Sequence, residues 1–477
     1  MKLTLKAGAY RGGGVILGLV PAGRTPSQLR IGGVAVPTLT VPEVVGEIIH
    51  TKVGAADLLL VSVGLASKCT TETIRQAAGI AAGWMRARSV SKGGLDCSPL
   101  ASLGIGGAVA AACEGLLLGD FTFERYKSNP GKRKDAQVAV LVDRIRSADR
   151  RALAVATATC AGTNLARQVS HEPPNELTPV SLAAEARKLA GKWKLKCRVL
   201  TESQMARLKM GGILAVGKGS AAPSRLIILE YGGRSSGPPV VVIGKAVTFD
   251  TGGYSLKSTD TIVGMKYDKC GGTAVLGLMR AVGELKPKCR VIGIIAAAEN
   301  MISEAAYRPD DIVRMMSGKT VEIVSTDAEG RLVLADALTY AQRTYRPRVM
   351  IDLATLTGGI VVALGRVAGG LFCEDDGLRD ALLESGQRTH ERLWPMPLWE
   401  DYDRLVKGDD ADLKNSGGRW GHPVIGGVFL KSFVDSKIPW AHLDIAGTAK
   451  VDEAKPYCPK GATGFGVRLL MDYLMGL

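Results

Sequence analysis

The sequence predicts an α/β fold in two domains: a smaller N-terminal α/β domain, then a larger C-terminal α/β domain built on a mostly parallel, helix-covered central sheet. Three observations carry this. Short aliphatic or β-branched runs alternate along the chain with helical or glycine-rich stretches, the pattern of βα units. In the later part these runs are apolar throughout, as expected of strands buried on both faces. And 477 residues, at roughly 150 per domain, ask for more than one core.

In chain order, MKLTLKAGAY reads as a first strand and a turn, Gly14 to Val20 and Asp57 to Leu65 as further strands, and Thr71 to Arg88 as a helix. Gly104-Ile105-Gly106-Gly107 opens an alanine-rich segment, where small residues predict close helix packing. The polar, basic segment from Phe121 to Ala136 carries Asn129-Pro130-Gly131 and reads as a loop. A helix-compatible stretch from Asp143 to Arg167 comes next, and VSHEPPNELTP then marks a boundary near residue 170. This gives an N-terminal domain over 1–142, a linker helix over 143–169 and a larger domain over 170–477. In the larger domain Leu226 to Glu230, Val240 to Ile243, Val291 to Ala297, Val321 to Val324 and Val349 to Leu353 are expected as strands of the central sheet. Ligands bind such sheets beyond the carboxyl ends of the strands, which directs attention to the polar residues after each run.

Composition excludes several classes. With 46% hydrophobic and 22% charged residues, the chain is neither disordered nor collagen-like. The longest nearly uncharged apolar stretch, Leu103 to Cys113, falls well short of the ~20 residues of a membrane span, and no membrane partner is expected. Arg11 and a glycine cluster split the apolar start, against a signal peptide. Nine cysteines without a C-x-x-C pair make no zinc ribbon or disulfide framework and fit a reducing cytoplasm. The net charge of +15 is concentrated early: residues 1–160 hold 20 basic against 11 acidic side chains. A basic N-terminal domain permits DNA binding as an alternative function, although 5% aromatics leaves few platforms for stacking bases.

Several motifs fail on inspection. Gly212-x4-Gly217-Lys218 has phosphate-loop spacing, but Gly219 stands where a hydroxyl should reach magnesium, and Val313 replaces the first glycine ahead of Ser317-Gly318-Lys319-Thr320. There is no G-x-S-x-G, and the five histidines (His50, His171, His390, His422, His442) show no H-E-x-x-H spacing. His442 and Asp444 would share one face of a strand, where a satisfied core histidine is the expected role.

Three segments concentrate charge at sheet edges. GKAVTFDTGGYSLK places Lys245, Asp250 and Lys257 after the Val240 run; KYDKCGG places Asp268 before an apolar helix; STDAEGRL places Asp327, Glu329 and Arg331 after the Val321 run. Carboxylates brought together repel unless cations neutralise them, and a pair of divalent metals with bridging carboxylates is the economical arrangement. The structural alternative is that Thr326-x-x-Glu329 forms a capping box and that Asp250 or Asp268 caps a turn or helix.

In order and spacing, these segments resemble the signature segments of the leucyl aminopeptidases, the cytosolic dimetal aminopeptidase family. The resemblance continues through IDLATLTGG, WAHLDIAG and KGATGFGVRLL and covers nearly all of residues 165–477. It implies a metallo-aminopeptidase that hydrolyses the N-terminal bond of peptides with free N-termini, leucine-like residues preferred. One metal would be held by Asp250, Asp327 and Glu329, with the Asp327 carbonyl, and a second by Lys245, Asp250, Asp268 and Glu329. The metals would be manganese or zinc, with magnesium as an alternative at one site. The nucleophile would be a metal-bridging hydroxide, with Lys257 stabilising the oxyanion. No histidine or carboxylate is left over as general base, and the family's answer, bicarbonate, would be held by Arg331. The side-chain pocket maps to Met265, Thr355, Gly358, Ala446 and Ala449, the last a position where family members often carry methionine. A cytoplasmic homohexamer is also implied.

Overall fold

The computed structural model describes residues 1–101, 103–131, 135–233 and 237–477. They form two compact units, Met1–Ala161 with Asp452–Lys460, and Gly162–Val451 with Gly461–Leu477. The division falls within one long helix, Ser147–His171, which starts four residues later than the Asp143 expected and runs four beyond Arg167.

The first unit holds a six-stranded sheet in the order Lys2–Ala7, Gln137–Val142, Lys92–Asp96, Val15–Val20, Ala56–Ser62, Ile48–Val53, parallel except for the last pair. Val15–Val20 is buried along its whole length, which accounts for its unbroken apolar sequence. Helices Thr71–Ala87 and Ala108–Gly119 pack closely against one another, and the glycines that permit this are not the ones expected. A Cβ at Gly115 would stand 2.2 Å from the Arg75 carbonyl oxygen, and one at Gly119 2.6 Å from that of Gly79. Gly104 and Gly106 face open space, and Gly107, at φ +81°, serves as the helix N-cap. The segment Asp452–Lys460 belongs here: Tyr457 donates to Glu72 at 2.9 Å, and Glu72 and Glu114 bracket the buried Arg75.

In the second unit eight strands pair in the order Lys196–Leu200, Arg225–Tyr231, Val291–Asn300, Val240–Asp250, Val349–Ala354, Trp440–Asp444, Gly369–Cys373, Leu393–Met396. The central four run parallel. Arg225–Tyr231 and Gly369–Cys373 join them antiparallel. Alternate residues of the long strand face different cores: Val240 and Val242 lie with helix Cys270–Leu285, Val241 and Ile243 with helix Glu329–Tyr345. One expected strand does not join the central sheet. The Val321 run yields only Thr320–Glu322, half-buried on either side of Val321, in a small sheet with Ile312–Arg314 and Leu413–Lys414.

The register gathers polar side chains at one end of the central strands. Asp250 is paired with Asn300 and Ala354 with Asp444, so Asp250, Asn300 and Asp444 all arrive at the same edge of the sheet. The pairing slips between Val247 and Asp250, an irregularity of the kind that re-aims side chains beside active sites.

Candidate metal centre and active site

Lys245 and Asp250 come from one strand, Asp268 from the turn ahead of helix Cys270–Leu285, Asp327 from the loop before helix Glu329–Tyr345, and Glu329 from that helix's first position. The fold brings them together. Lys245 Nζ lies 2.7 Å from Glu329 Oε1 and 3.0 Å from Asp268 Oδ2 and donates to the Thr355 carbonyl at 3.1 Å. Lys257 Nζ lies 2.9 Å from Asp250 Oδ2 and also pairs with Asp327. Asp250, Asp327 and Glu329 each offer an oxygen within 4.8 Å of the others. Asp268 joins the group through Lys245.

Gly330, after Glu329, leaves Lys245 room to reach the cluster. A Cβ there would fall 2.6 Å from both Cε and Nζ of Lys245.

Burial makes the cluster electrostatically demanding. Asp250, Asp268, Glu329 and Lys245 are all below a tenth exposed, whereas the Asp327 side chain is 38% exposed and opens the site to solvent. Burial raises the pKa of Asp268, Glu329 and Asp327, and neighbouring carboxylates raise each further, against the pull of the two lysines. For Lys245, burial opposes the charge, but Asp268, Glu329 and Asp250 together outweigh it and raise its pKa. Lys257 behaves in the same way with Asp250, Glu329 and Asp327. Four carboxylates compensated by two ammonium groups leave negative charge to be balanced. Carboxylate oxygens with an amine are a donor set that suits divalent ions such as manganese or zinc.

The supporting residues were not apparent from sequence. Asn300 Nδ2 donates to Asp250 Oδ1 at 2.8 Å and to the Thr326 carbonyl at 3.0 Å, which also accepts from Tyr307 at 2.8 Å. The signal was present, since Asn300 ends a buried run at the carboxyl edge. Thr326 makes no capping box with Glu329. Its hydroxyl donates to the Gly252 carbonyl at 2.6 Å and accepts from Ser255 N, tying the two acidic loops together, and the helix is led instead by Ala328. Asp250 Oδ1 does accept from Gly252 N, so it closes a turn as well as facing the cluster. From the other side Asn415 accepts from Val324 N and Ser325 N and donates to the Ser325 carbonyl.

Arg331 is 2% exposed and donates to the Asn415 carbonyl at 2.7 Å, while its Nε has no hydrogen-bond partner among the described residues. Burial lowers its pKa to about 10, against Glu329, Asp444 and Asp327. Among the positions expected from the resemblance to line a side-chain pocket, Thr355 donates to Asp268 Oδ1 at 2.7 Å and Gly358 opens helix Gly358–Leu364 as an exposed residue. Asp444, fully buried, accepts from Leu356 N, the Thr357 hydroxyl and Ala446 N, holding the turns at Leu356–Thr357 and Ala446 in register. Met265 lies half-buried in the turn before Asp268, and Ala449 is 2% exposed within the core. His442 fills the core role expected of it, with Nδ1 2.6 Å from Asp352, which also accepts from Trp440. Cys270 is buried and contacts Ser170.

A buried cluster of carboxylates and lysines at the carboxyl edge of a parallel sheet, in a chain that also carries a smaller α/β unit, defines a metallopeptidase-type hydrolase. The chain belongs to the cytosol aminopeptidase family: the family's catalytic-domain model matches residues 164–471 and its N-terminal-domain model residues 46–130. A probable cytosol aminopeptidase of Geotalea uraniireducens is 44% identical over 432 residues, 89% of this chain and 86% of that protein. One from Geobacter sulfurreducens is 44% identical over 451 residues, 91% and 89% respectively. Among solved structures, the bottromycin maturation enzyme BotP in complex with Mn superposes with a TM-score of 0.88 at 33% identity, covering 98% of this chain and 99% of that one. The protein is thus an aminopeptidase, a hydrolase acting on peptides. Among the described residues no helix is long and apolar enough to cross a membrane.

Proposed function

We propose that the protein uses two divalent metals to release N-terminal residues from peptides, leucine-like ones preferred. One observation carries this: four carboxylates and two lysines interlock in a mostly buried pocket that has negative charge to spare. Lys245, Asp250, Asp268, Asp327 and Glu329 would hold the ions. Manganese is favoured by the Mn complex of the solved relative, with zinc and magnesium as alternatives. When bound, the ions supply an activated water near neutral pH and polarise the scissile carbonyl.

The chain's own residues do the rest. Residual negative charge attracts the free α-ammonium of a peptide, which selects the N-terminus. Lys257 remains protonated beside Asp250 and Asp327 and is placed to stabilise an oxyanion, a role worth about 10²- to 10³-fold in rate. Arg331, with its buried unpartnered Nε, would hold a small anion such as bicarbonate. Met265, Thr355, Gly358, Ala446 and Ala449 would line the side-chain pocket, with the small Ala449 leaving it roomy. A cytoplasmic homohexamer belongs to the same reading: the family's name supports the compartment, and the sequence resemblance alone supports the hexamer.

The test is hydrolysis of leucine amide by metal-stripped protein supplied with Mn²⁺ or Zn²⁺, beside Glu329→Ala. Metal-dependent release that disappears in the variant is expected. A folded protein inactive with every metal would refute the proposal.

A further inference from the structure

At the other end of the central sheet from the acidic cluster, a cleft of about 510 Å³ opens ahead of strands Val349–Ala354 and Trp440–Asp444. Three exposed cations line it: Lys319, from the Ser317-Gly318-Lys319-Thr320 turn, and Arg343 and Arg346, from the end of helix Glu329–Tyr345. That helix has Glu329 at its first position, so the cleft lies about 25 Å from the acidic cluster along the helix axis. The facing loop is pinned in place. Gln342 Nε2 donates to the Phe433 carbonyl at 2.8 Å and Gln342 Oε1 accepts from Asp435 N at 2.9 Å. Lys319 Nζ donates to the Ser432 carbonyl at 2.7 Å and lies 5.8 Å from the centre of the Phe433 ring. Arg343 donates to the carbonyls of Met316 at 2.9 Å and Ser317 at 3.2 Å.

Carbonyls fix Lys319 and Arg343 without neutralising them, and both side chains keep N–H groups to spare. The Arg346 side chain makes no hydrogen bond or ion pair among the described residues, and none of the three cations is paired with a carboxylate there. Two features oppose this charge. Asp435 also lines the cleft, but its Oδ1 already accepts from Lys437 N at 3.0 Å. The helix C-terminus contributes about half a negative charge. Three full positive charges outweigh both.

We propose that this cleft binds a small organic phosphate, its phosphate on Lys319, Arg343 and Arg346 and its carbon body against Val434 and Ile438. Three cations match a phosphate monoester, which carries about −1.5 to −2 at pH 7, better than a single carboxylate. Guanidinium forks fit phosphate oxygens in pairs. The volume lies within the range of about 300–1,000 Å³ that small-molecule sites occupy, room for more than a bare phosphate. Val434 and Ile438 are half-buried and give the ligand's body an apolar wall. The proposal does not depend on the chemistry of the acidic cluster.

The experiment is calorimetric titration of the full chain, saturated with Mn²⁺, with phenyl phosphate as the probe. Wild type and Glu329→Ala should share one binding event that weakens at high salt. Arg346→Gln should weaken that event about 10-fold or more and Arg346→Lys should recover part of the loss. Because the Arg346 side chain has no hydrogen bond to lose, Arg346→Gln should keep the wild-type melting temperature and leucine amide hydrolysis. Lys319→Met, which retains the contact with Phe433, tests the same wall from its other side and should also weaken binding. Orthophosphate should bind more weakly than phenyl phosphate. No binding by the wild type would overturn the proposal. So would binding that Glu329→Ala abolishes and both cleft variants keep, which would put the phosphate at the acidic cluster. Equal affinity for orthophosphate would rule out a role for the apolar wall, and duplex DNA binding lost in Arg346→Gln, with phenyl phosphate silent, would replace the small ligand by nucleic acid.

Discussion

Gly330→Ala should separate stability from function. Gly330 is the second residue of helix Glu329–Tyr345, so the preference for alanine over glycine, about 0.8–1 kcal/mol in a helix interior, is only an upper bound on the gain there. Here its methyl would sit 2.6 Å from Lys245 Cε and Nζ, where ordinary contact begins at 3.4 Å. The obstruction is the far end of a flexible side chain, so it is Lys245 that yields, by roughly 1 Å, the scale of misplacement that costs about 10²-fold in rate. That displacement draws Nζ away from Glu329, Asp268 and the Thr355 carbonyl together. The expected outcome is a melting temperature within a few degrees of the wild type and kcat/KM about 10²-fold lower, equivalent to about 2.7 kcal/mol of transition-state stabilisation. Calorimetry and leucine amide hydrolysis at saturating Mn²⁺ measure the two quantities. Full activity would refute the claim that Lys245 must stand where it does, and a large drop in melting temperature would show that backbone rather than Lys245 absorbs the clash.

Asn300→Ala, which frees Asp250 and the Thr326 carbonyl from a shared donor, should weaken Mn²⁺ binding by about 10- to 100-fold in calorimetric titration. Gly115→Ala should destabilise the first unit by about 1–3 kcal/mol in denaturant unfolding, because its methyl would meet the Arg75 carbonyl. Asp336 accepts from Gly212 N, Ile213 N and Met316 N, and Asp336→Asn cannot serve all three, so a loss of about 1–3 kcal/mol is expected at pH 5. Burial pushes its pKa up to about 7 despite those donors. The folded chain therefore holds this proton over a range, from about pH 4 to 7, in which the unfolded chain has released it, and stability falls as pH rises through that window. The variant lacks this slope, so the gap in melting temperature should narrow between pH 5 and 8; a gap that widens would show that the three donors outweigh burial.

The parts of the fold that were legible were those dictated by local composition. Val240–Ile243 and Val291–Ala297 could be read as central strands because burial on both faces leaves no room for polar residues. Val321 looked the same over four residues but sits in a strand too short and too half-buried to join that sheet. The acidic cluster was legible because its members fall in three short segments. Asn415 was not, since it reaches Arg331 from more than 80 residues away and only tertiary packing reveals the meeting. Thr326 misled for a related reason: its spacing to Glu329 satisfies a local rule, but the hydroxyl finds a better partner in Gly252.

The nine residues Asp452–Lys460 give the chain an awkward anatomy. Each unit is continuous in space but neither is continuous in sequence. A proteolytic or genetic cut at the division in the long helix would leave the catalytic fragment carrying a stretch, including Tyr457, whose partner Glu72 had been removed. That fragment would display a tyrosine stripped of its Glu72 contact and the rest of an orphaned surface, an invitation to aggregate. Cleaner dissection would excise the insertion as well, joining Val451 to Gly461, which already meet as partners in a two-stranded antiparallel pair.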